Sequence, residues 1–466
     1  MRIIKTGLII TNFLVFIICV ILITSCDLDK NKHLTGKAGW QTGFWIWGYN
    51  SEYDNESAHN VSNSNEKPLD ILYVHAAEYY PNISNSFHGY WPDKLPLANA
   101  YIAVWRLNGL ENESLVFKLV EDYKQVKKKA AKSGVNVRGI QIDYDCPTDN
   151  LFQYARFLKN LRKALPEEDI LSITTLLDWF KSDTKIADVL KRVDEFAPQF
   201  YDVNDKNISK RKWDISEVVD STKWSPIFNS YKKPYKIGIA SFGRIVVKNK
   251  LSELRKDEIK FLYHDPLKLI TCQNLIPSVR EITPAGELII NMKKEANNNI
   301  NEVDCLEYDS IEEVKIVIPT AKSIRLAYDG AKAMGGYCTG VIFFRLSGEG
   351  EGLILTKEEI NSAMQGKEPS STGTAMIAKD GLCVTVSCSD LYIKLKNRFS
   401  GEPAKFMISS TGDLEYFLPN WTVQGKMKNS KTIEVYVPAY ASESYLSVGR
   451  AVSMKPVSFA VKEIMK

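Results

Sequence analysis

Short apolar runs alternate along this chain with polar loops and amphipathic stretches, beginning at Gly43. Eight runs read as strands: Gly43–Tyr49, Asp70–Tyr79, Asn99–Leu107, Val137–Asp145, Ile170–Trp179, Phe196–Val203, Tyr235–Gly243 and Thr339–Ser347. Apolar residues at helical spacing fill Ser114–Gly134 and Asn150–Pro166, the first ending on a Gly stop and the second on a Pro, and a third such segment, Ser323–Gly335, precedes the last strand. Near-continuous apolar strands separated by helices predict a parallel sheet covered on both faces. Eight such units predict an α/β fold, a (β/α)8 TIM barrel spanning residues 43–370.

Two stretches fall outside that rhythm. Between the seventh and eighth strands lie about 75 surplus residues, 244–319, with hairpin-like runs at Ala285–Lys294 and Glu312–Pro319. This is too long for a simple loop and predicts an inserted α+β lobe over the barrel mouth. After the composition break Gly366–Thr374, the segments "CVTVS", "LYIKLKN", "AKFMIS", "KTIEVYVP" and "SYLSVGR" alternate with turn residues. They predict a small C-terminal antiparallel β-sandwich over residues 371–466.

The N-terminus changes the picture of where the chain works. A basic leader, Met1–Lys5, precedes Gly7–Thr24, which is apolar apart from Thr11 and Asn12 before its final Thr24. The run approaches the length of a membrane span, so an uncleaved anchor is one reading. The other is a secretory signal over residues 1–25, because Ile23–Cys26 ("ITSC") resembles the lipobox of bacterial lipoproteins. That resemblance implies that Cys26 becomes the lipidated first residue, with residues 26–42 as a polar tether. Either way the remainder is exported to the cell envelope and held at a membrane.

Composition adds mainly exclusions. The chain is 44% hydrophobic and 25% charged with a formal charge of +4, which argues against a dedicated nucleic-acid partner. Five histidines and scattered cysteines offer no metal-ligand spacing, and no phosphate loop, dinucleotide fingerprint or serine elbow occurs, so no cofactor or metal is expected. Cys383 and Cys388 are close enough to bridge across a turn in an oxidising compartment.

The chemistry concentrates at the strand ends, where barrels of this kind build their sites. They carry Trp47, Glu78, Trp105 with Arg106, Asp143 with Asp145, Asp178 with Trp179, Tyr201 with Asp202, and Phe344 with Arg345. On a strand, Asp143 and Asp145 share one face with Gln141, while Ile140, Ile142 and Tyr144 share the other. Two adjacent acids are costly to bury unless paired, protonated or used. Carboxylates interleaved with aromatic rings suit a glycan pocket, the acids for proton transfer and the rings for flat sugar faces. A structural pair tied to Arg106 or Arg345 is the competing reading of the acids, and core filling that of each Trp; His75, within an apolar strand, reads as a core residue.

The motifs carry a resemblance. "RGIQIDYD" (Arg138–Asp145), "QFYD" (Gln199–Asp202), "GIASFG" (Gly238–Gly243) and "GVIFF" (Gly340–Phe344) resemble the fourth, sixth, seventh and eighth strands of family-18 glycoside hydrolases, the chitinase group. "QIDYDCPTDNLFQYARFLKNLR" resembles more closely an uncharacterised family of bacterial lipoproteins, a domain of unknown function. The first resemblance implies Asp145 at the catalytic acid position, Asp143 orienting a substrate amide or stabilising positive charge, and Tyr201 assisting. The strand-end pattern and this resemblance together give Asp202, Trp47, Glu78, Trp105, Asp178, Trp179, Phe344 and Arg345 as expected substrate contacts, with a polysaccharide as partner. The chain departs from the family pattern at Arg138 and Gln141, both Asp there, at Asp145, where the family has Glu, and at Phe344, where it has Trp. Two function classes follow: an anchored glycosidase, and a glycan-binding or scaffold lipoprotein on a degenerate glycosidase barrel.

Overall fold

The computed structural model describes residues 39–47, 68–81, 84–110, 114–201, 215–249, 259–261, 275–294, 311–346, 353–367, 374–381, 386–395, 404–420, 423–437 and 445–465. The expected signal Gly7–Thr24, Cys26 with its tether, and Asp202 lie outside the described residues. Among the described residues no helix is long and apolar enough to cross a membrane.

In chain order the first strands are β1 (Gln41–Ile46), β2 (Ile71–Tyr80), β3 (Ser84–Gly89), β4 (Tyr101–Leu107), β5 (Val137–Asp143), β6 (Ile170–Leu176), β7 (Glu195–Gln199) and β8 (Tyr235–Ala240). Then come β9 (Arg244–Asn249), β10 (Ile259–Phe261), β11 (Leu275–Ile282), β12 (Leu288–Lys294), β13 (Ile311–Ile318) and β14 (Cys338–Phe344). Eight of them form the sheet β1-β14-β8-β7-β6-β5-β4-β2, and β1 pairs with β2 to close it. The (β/α)8 barrel expected from the alternation is present. β3 stands outside the ring as an antiparallel partner of the far end of β2.

The helices are α1 (Ser114–Lys132), α2 (Leu151–Ala164), α3 (Ile186–Leu190), α4 (Ser221–Ser230), α5 (Ala321–Ala333) and α6 (Lys357–Met364). Leu115, Leu119, Tyr123, Val126 and Ala130 form one buried stripe along α1, the 3.6-residue signature of a helix covering a sheet. Gly134 ends it at φ +73°, a conformation that glycine adopts without steric penalty. Capping boxes start α5 at Thr320 and α6 at Thr356.

Several strands stop short of the predicted ends. β5 finishes at Asp143, so Tyr144 and Asp145 belong to the loop above it. Leu177–Phe180 turns into a short 3-10 helix carrying Asp178 and Trp179. β7 ends at Gln199, and Tyr201 is fixed by an isolated bridge to Ser216. Within the insertion the described residues form a five-stranded antiparallel sheet, β10-β9-β13-β12-β11. Its turn is tied to the loop after β7, because Glu287 accepts from Ser216 Oγ (2.6 Å) and from the Ile215 amide (3.1 Å).

C-terminal to the barrel are β15 (Thr374–Gly381), β16 (Ser387–Leu395), β17 (Ala404–Ser410), β18 (Tyr416–Pro419), β19 (Gln424–Asn429), β20 (Thr432–Val437), β21 (Tyr445–Ser453) and β22 (Phe459–Met465). They make two four-stranded sheets, β15-β16-β21-β18 and β19-β20-β17-β22. One apolar core, including Leu391, Ile393 and Val448 from the first sheet and Phe406, Ile408 and Val435 from the second, joins them. Cys388 is disulfide-bonded, and its partner lies outside the described residues.

The barrel interior is polar at its floor. Lys236 Nζ donates to Glu195 at 2.5 Å and Tyr73 Oη donates to the other Glu195 oxygen at 2.8 Å, all three residues being buried. Burial alone pushes the Glu195 carboxyl up, but Lys236, Tyr73 and Ser172 together hold it below the usual range. One layer higher, Gln141 accepts from Trp45 Nε1 (2.7 Å) and donates to Ser172 Oγ (3.0 Å). Removing one partner of a buried ion pair strands the other charge, at a cost of about 3–5 kcal/mol. Lys236→Met is therefore expected to lower the urea-unfolding stability by about that much, and the double variant Lys236→Met/Glu195→Gln by clearly less. Equal losses in the two would contradict a paired floor.

Candidate functional site

The site grows from the register of three neighbouring strands. In the β4–β5 pairing Arg106 lies opposite Asp143. In the β2–β4 pairing Arg106 lies opposite Glu78, because a bulge between His75 and Ala77 shifts the register of β2 by one residue. An extra residue reverses the alternation of faces beyond it. His75 and Glu78, three apart, therefore approach one another, with Nε2 3.5 Å from Oε1. Glu78 is 1% exposed and also accepts from the Tyr80 hydroxyl.

Arg106 reaches two further carboxylates. One guanidinium nitrogen lies 4.0 Å from Asp143 Oδ2 and the other 3.9 Å from Asp145 Oδ2. Asp143 is buried and accepts from Thr174 Oγ1 at 2.7 Å, whereas the Asp145 side chain is 59% exposed. Burial first, and then the Asp145 charge, push the Asp143 carboxyl up to about 6, against the opposing pull of Arg106 and Thr174. Of the two acids expected to share one strand face, only Asp143 is on β5; Asp145 lies in the loop beyond it, and both approach the same guanidinium.

Tyr201 joins this group. Its ring stacks on Phe344 (centroids 5.4 Å apart, 25° between planes) and meets Trp45 edge-on at 6.1 Å. The side chain is buried, and its hydroxyl has no well-formed hydrogen bond among the described residues. Burial and the nearby Asp143 raise its pKa well above the usual phenolic value, so it remains a neutral donor. Trp47 leans on Phe344 (5.9 Å) and on Arg106 (6.0 Å from Cζ to the ring centroid). One face of Trp47 is covered by His75, stacked at 3.9 Å and 11°. His75 is itself stacked against Tyr90 at 5.0 Å, and burial lowers its pKa to about 4, so it is a neutral ring in an aromatic stack.

Other predicted contacts are placed elsewhere. Trp105 alternates with Arg106 and so faces the helix layer, where its indole N–H donates to Asp122 on α1 (2.7 Å) and its ring meets Tyr123 edge-on. Trp179 is buried against Tyr154 of α2, its N–H donating to the Cys146 carbonyl at 2.9 Å. Neither indole is presented to the mouth; both fill the space between barrel and helices. Asp178 is exposed and paired with Lys181 at 2.9 Å. Arg345 follows Phe344 at the end of β14, where its carbonyl accepts from Ser241 Oγ. Tyr80, Tyr90 and Thr174 were not singled out from the sequence. For Thr174 the signal was present, since its pairing with an inward Asp143 follows from neighbouring strands, but the register was not. Among the described residues no group of three or more His, Cys, Asp or Glu is set to hold a metal ion.

Residues 98–269 match a family described as a domain of unknown function, DUF3142. No curated protein gives a significant match to the sequence. Among solved structures the chain is similar to the spore cortex-lytic enzyme SleL of Bacillus cereus, at 15% identity and a TM-score of 0.44, over 71% of this chain and 75% of that one. It is similar to a class V chitinase from Pseudomonas fluorescens Pf-5, at 12% identity and a TM-score of 0.43, over 70% and 99% of the two chains. A tamarind chitinase-like lectin matches at 8% identity and a TM-score of 0.28, over 66% and 94%. Residues 98–269, the stretch that matches the DUF3142 model, supply Arg106, Asp143, Asp145 and Tyr201.

Proposed function

We propose that this chain is a membrane-anchored, glycoside hydrolase-like protein acting on an envelope or environmental polysaccharide. The observation that carries the reading is the meeting of Asp143 and Asp145 at one guanidinium on the C-terminal rim of a closed barrel, with the Tyr201 hydroxyl in electrostatic reach. Asp145, the exposed member, protonates the glycosidic oxygen as the bond to the anomeric carbon breaks. Asp143, buried beside it, stabilises the positive charge that develops there or orients a substrate amide acting as nucleophile. Tyr201 donates to that nucleophilic oxygen, and Asp202 holds the sugar ring. Water then adds at the anomeric carbon and returns a proton to Asp145. Trp47 and Phe344, in contact with one another, supply the apolar rings beside the acids.

A second reading, glycan binding without cleavage, draws support from Arg106, which sits within 4.0 Å of both carboxylates as a structural counter-ion would. Purified full-length protein assayed for new reducing ends on a polysaccharide panel separates the two. Asp145→Asn is expected to reduce turnover by about 10² or more while leaving glycan retention intact. Retention without turnover by the unmodified protein would establish the second reading instead.

The pH dependence has a definite sign. A folded carboxyl titrating near 6, against roughly 4 when unfolded, binds its proton more tightly in the native state. Its stabilising contribution is complete below pH 4 and is lost as pH rises through 6. Asp143→Asn removes this dependence, so its melting temperature relative to the unmodified protein is expected to rise between pH 4 and pH 7. A constant difference across that window would mean that Asp143 is not held as described.

Export and anchoring rest on Gly7–Cys26, and the disulfide at Cys388 supports an oxidising compartment. In cells fed a clickable palmitate analogue, Cys26→Ser is expected to lose both label and membrane association. Continued sedimentation of an unlabelled protein with membranes would favour an uncleaved span.

A further inference from the structure

Tyr201 stands just beyond the end of β7, and a second piece of chain runs antiparallel beside it. Ser216 bridges to Tyr201, and the Glu217 amide donates to the Phe200 carbonyl at 2.9 Å. Phe200 is tied to the barrel in turn, its amide donating to the Gly238 carbonyl of β8 at 3.0 Å. The returning segment is gripped from the insertion by Glu287, which is 1% exposed. One Glu287 oxygen accepts from Ser216 Oγ at 2.6 Å and the other from the Ile215 amide at 3.1 Å.

The turn that carries Glu287 has little freedom of its own. The Thr283 amide donates to the Glu287 carbonyl (2.9 Å), the Gly286 amide to the Thr283 carbonyl (2.8 Å), and the Glu287 amide to Thr283 Oγ1 (3.1 Å). Gly286 takes φ +87°, which suits glycine, and its carbonyl accepts from Thr320 Oγ1, the N-cap of α5, at 2.7 Å. Apolar packing supports the returning segment on one side, where Ile215 shares a core with Tyr201, Ile289 of β12 and Val317 of β13. Elsewhere it is slack. A cavity of about 190 Å³ is lined by Phe200, Val218 and Val219 and, from the turn and α5, by Pro284, Ala285 and Leu326. Side chains facing a void lose their contacts there, so packing alone does not fix the segment.

We infer that Glu287 is a positioning residue for Tyr201: by holding Ile215 and Ser216 it fixes where the phenol stands against Phe344 and Trp45, which makes the insertion a working part of the barrel mouth. The catalytic consequence rests on the role proposed above for Tyr201, whereas the positional claim does not require turnover.

The test reads the ring ε signals of Tyr201 in full-length protein carrying 13C-labelled tyrosine, assigned by their loss in Tyr201→Phe. These positions sense the ring currents of Phe344, stacked at 5.4 Å, and of Trp45, edge-on at 6.1 Å. Well below its melting transition, Glu287→Ala is expected to shift or broaden them, while the signals of Tyr416 on the C-terminal sandwich stay in place. Glu287→Gln, whose amide oxygen still accepts, should recover part of the native position. Ser216→Ala, which spares the Ile215 bond, should move them less and in the same direction. Unmoved Tyr201 signals in Glu287→Ala, with a lowered melting temperature, overturn the inference, since Glu287 then only stabilises the lobe. If Glu287→Ala does not fold, Ser216→Ala decides, a shifted Tyr201 supporting the inference and an unmoved one refuting it. Where hydrolysis is measurable, Glu287→Ala should lower kcat by up to about 10²-fold, the scale of a misplaced group, with a smaller change in KM. Displaced Tyr201 signals in a protein that cleaves no glycan uphold the positioning and remove only its catalytic consequence.

Discussion

A column of hydrogen-bonded polar side chains running up the inside of the barrel is the constraint on which the rest of the molecule depends. At the floor Lys236 and Tyr73 converge on Glu195, whose carboxyl Ser172 also serves. Ser172 passes the network to Gln141 and so to the indole of Trp45. One layer higher Thr174 takes up Asp143. Every member sits on an inward position of its strand, two residues from the next on β5 and β6, so the period of the sheet itself spaces the layers. Buried polar groups are tolerable only when fully satisfied, and each such bond also fixes the relative register of the strands it joins. The acid at the mouth is thereby positioned by the same alternation that stabilises the floor.

Much of this was legible in the sequence because it depends on local pattern. The eight apolar runs, the polar strand ends and the shared face of Gln141 and Asp143 follow from period two alone. What escaped depends on pairing between strands. The bulge in β2 brings His75 and Glu78 together, whereas strict alternation separates them, and nothing in "VHAAEY" announces an extra residue. Strand length escaped as well, since Asp145 and Trp179 continue apolar runs that the backbone leaves for a loop and a 3-10 turn. Trp105 is the instructive case. Reading strand ends as a group placed it beside Arg106 at the mouth, although alternation already required one of the two to face the helices.

The insertion bears on the site through the chain around Tyr201. Glu287, just before β12, accepts from Ile215 and Ser216, and Ser216 bridges to Tyr201 just beyond β7. A buried carboxylate on the lobe therefore holds the segment that presents the phenol to the acids. Tyr201 is further locked by Phe344 and Trp45, rings from the neighbouring strands β14 and β1. Ring contacts thus fix the phenol more than any well-formed hydrogen bond among the described residues does.

Two buried carboxylates in one barrel show how environment divides structural from chemical roles. Burial alone pushes both acids upward. At Glu195 an ammonium in direct contact, with two hydroxyl donors, overcomes that push and keeps the group ionised. At Asp143 the support is thinner: one hydroxyl, a guanidinium 4.0 Å away, and a second carboxylate working against it. The first acid is therefore committed to its charge, while the second titrates near 6. Adding a closer cation at the rim would stabilise the fold and at the same time remove that freedom. The long contacts to Arg106 thus leave Asp143 less firmly ionised than Glu195.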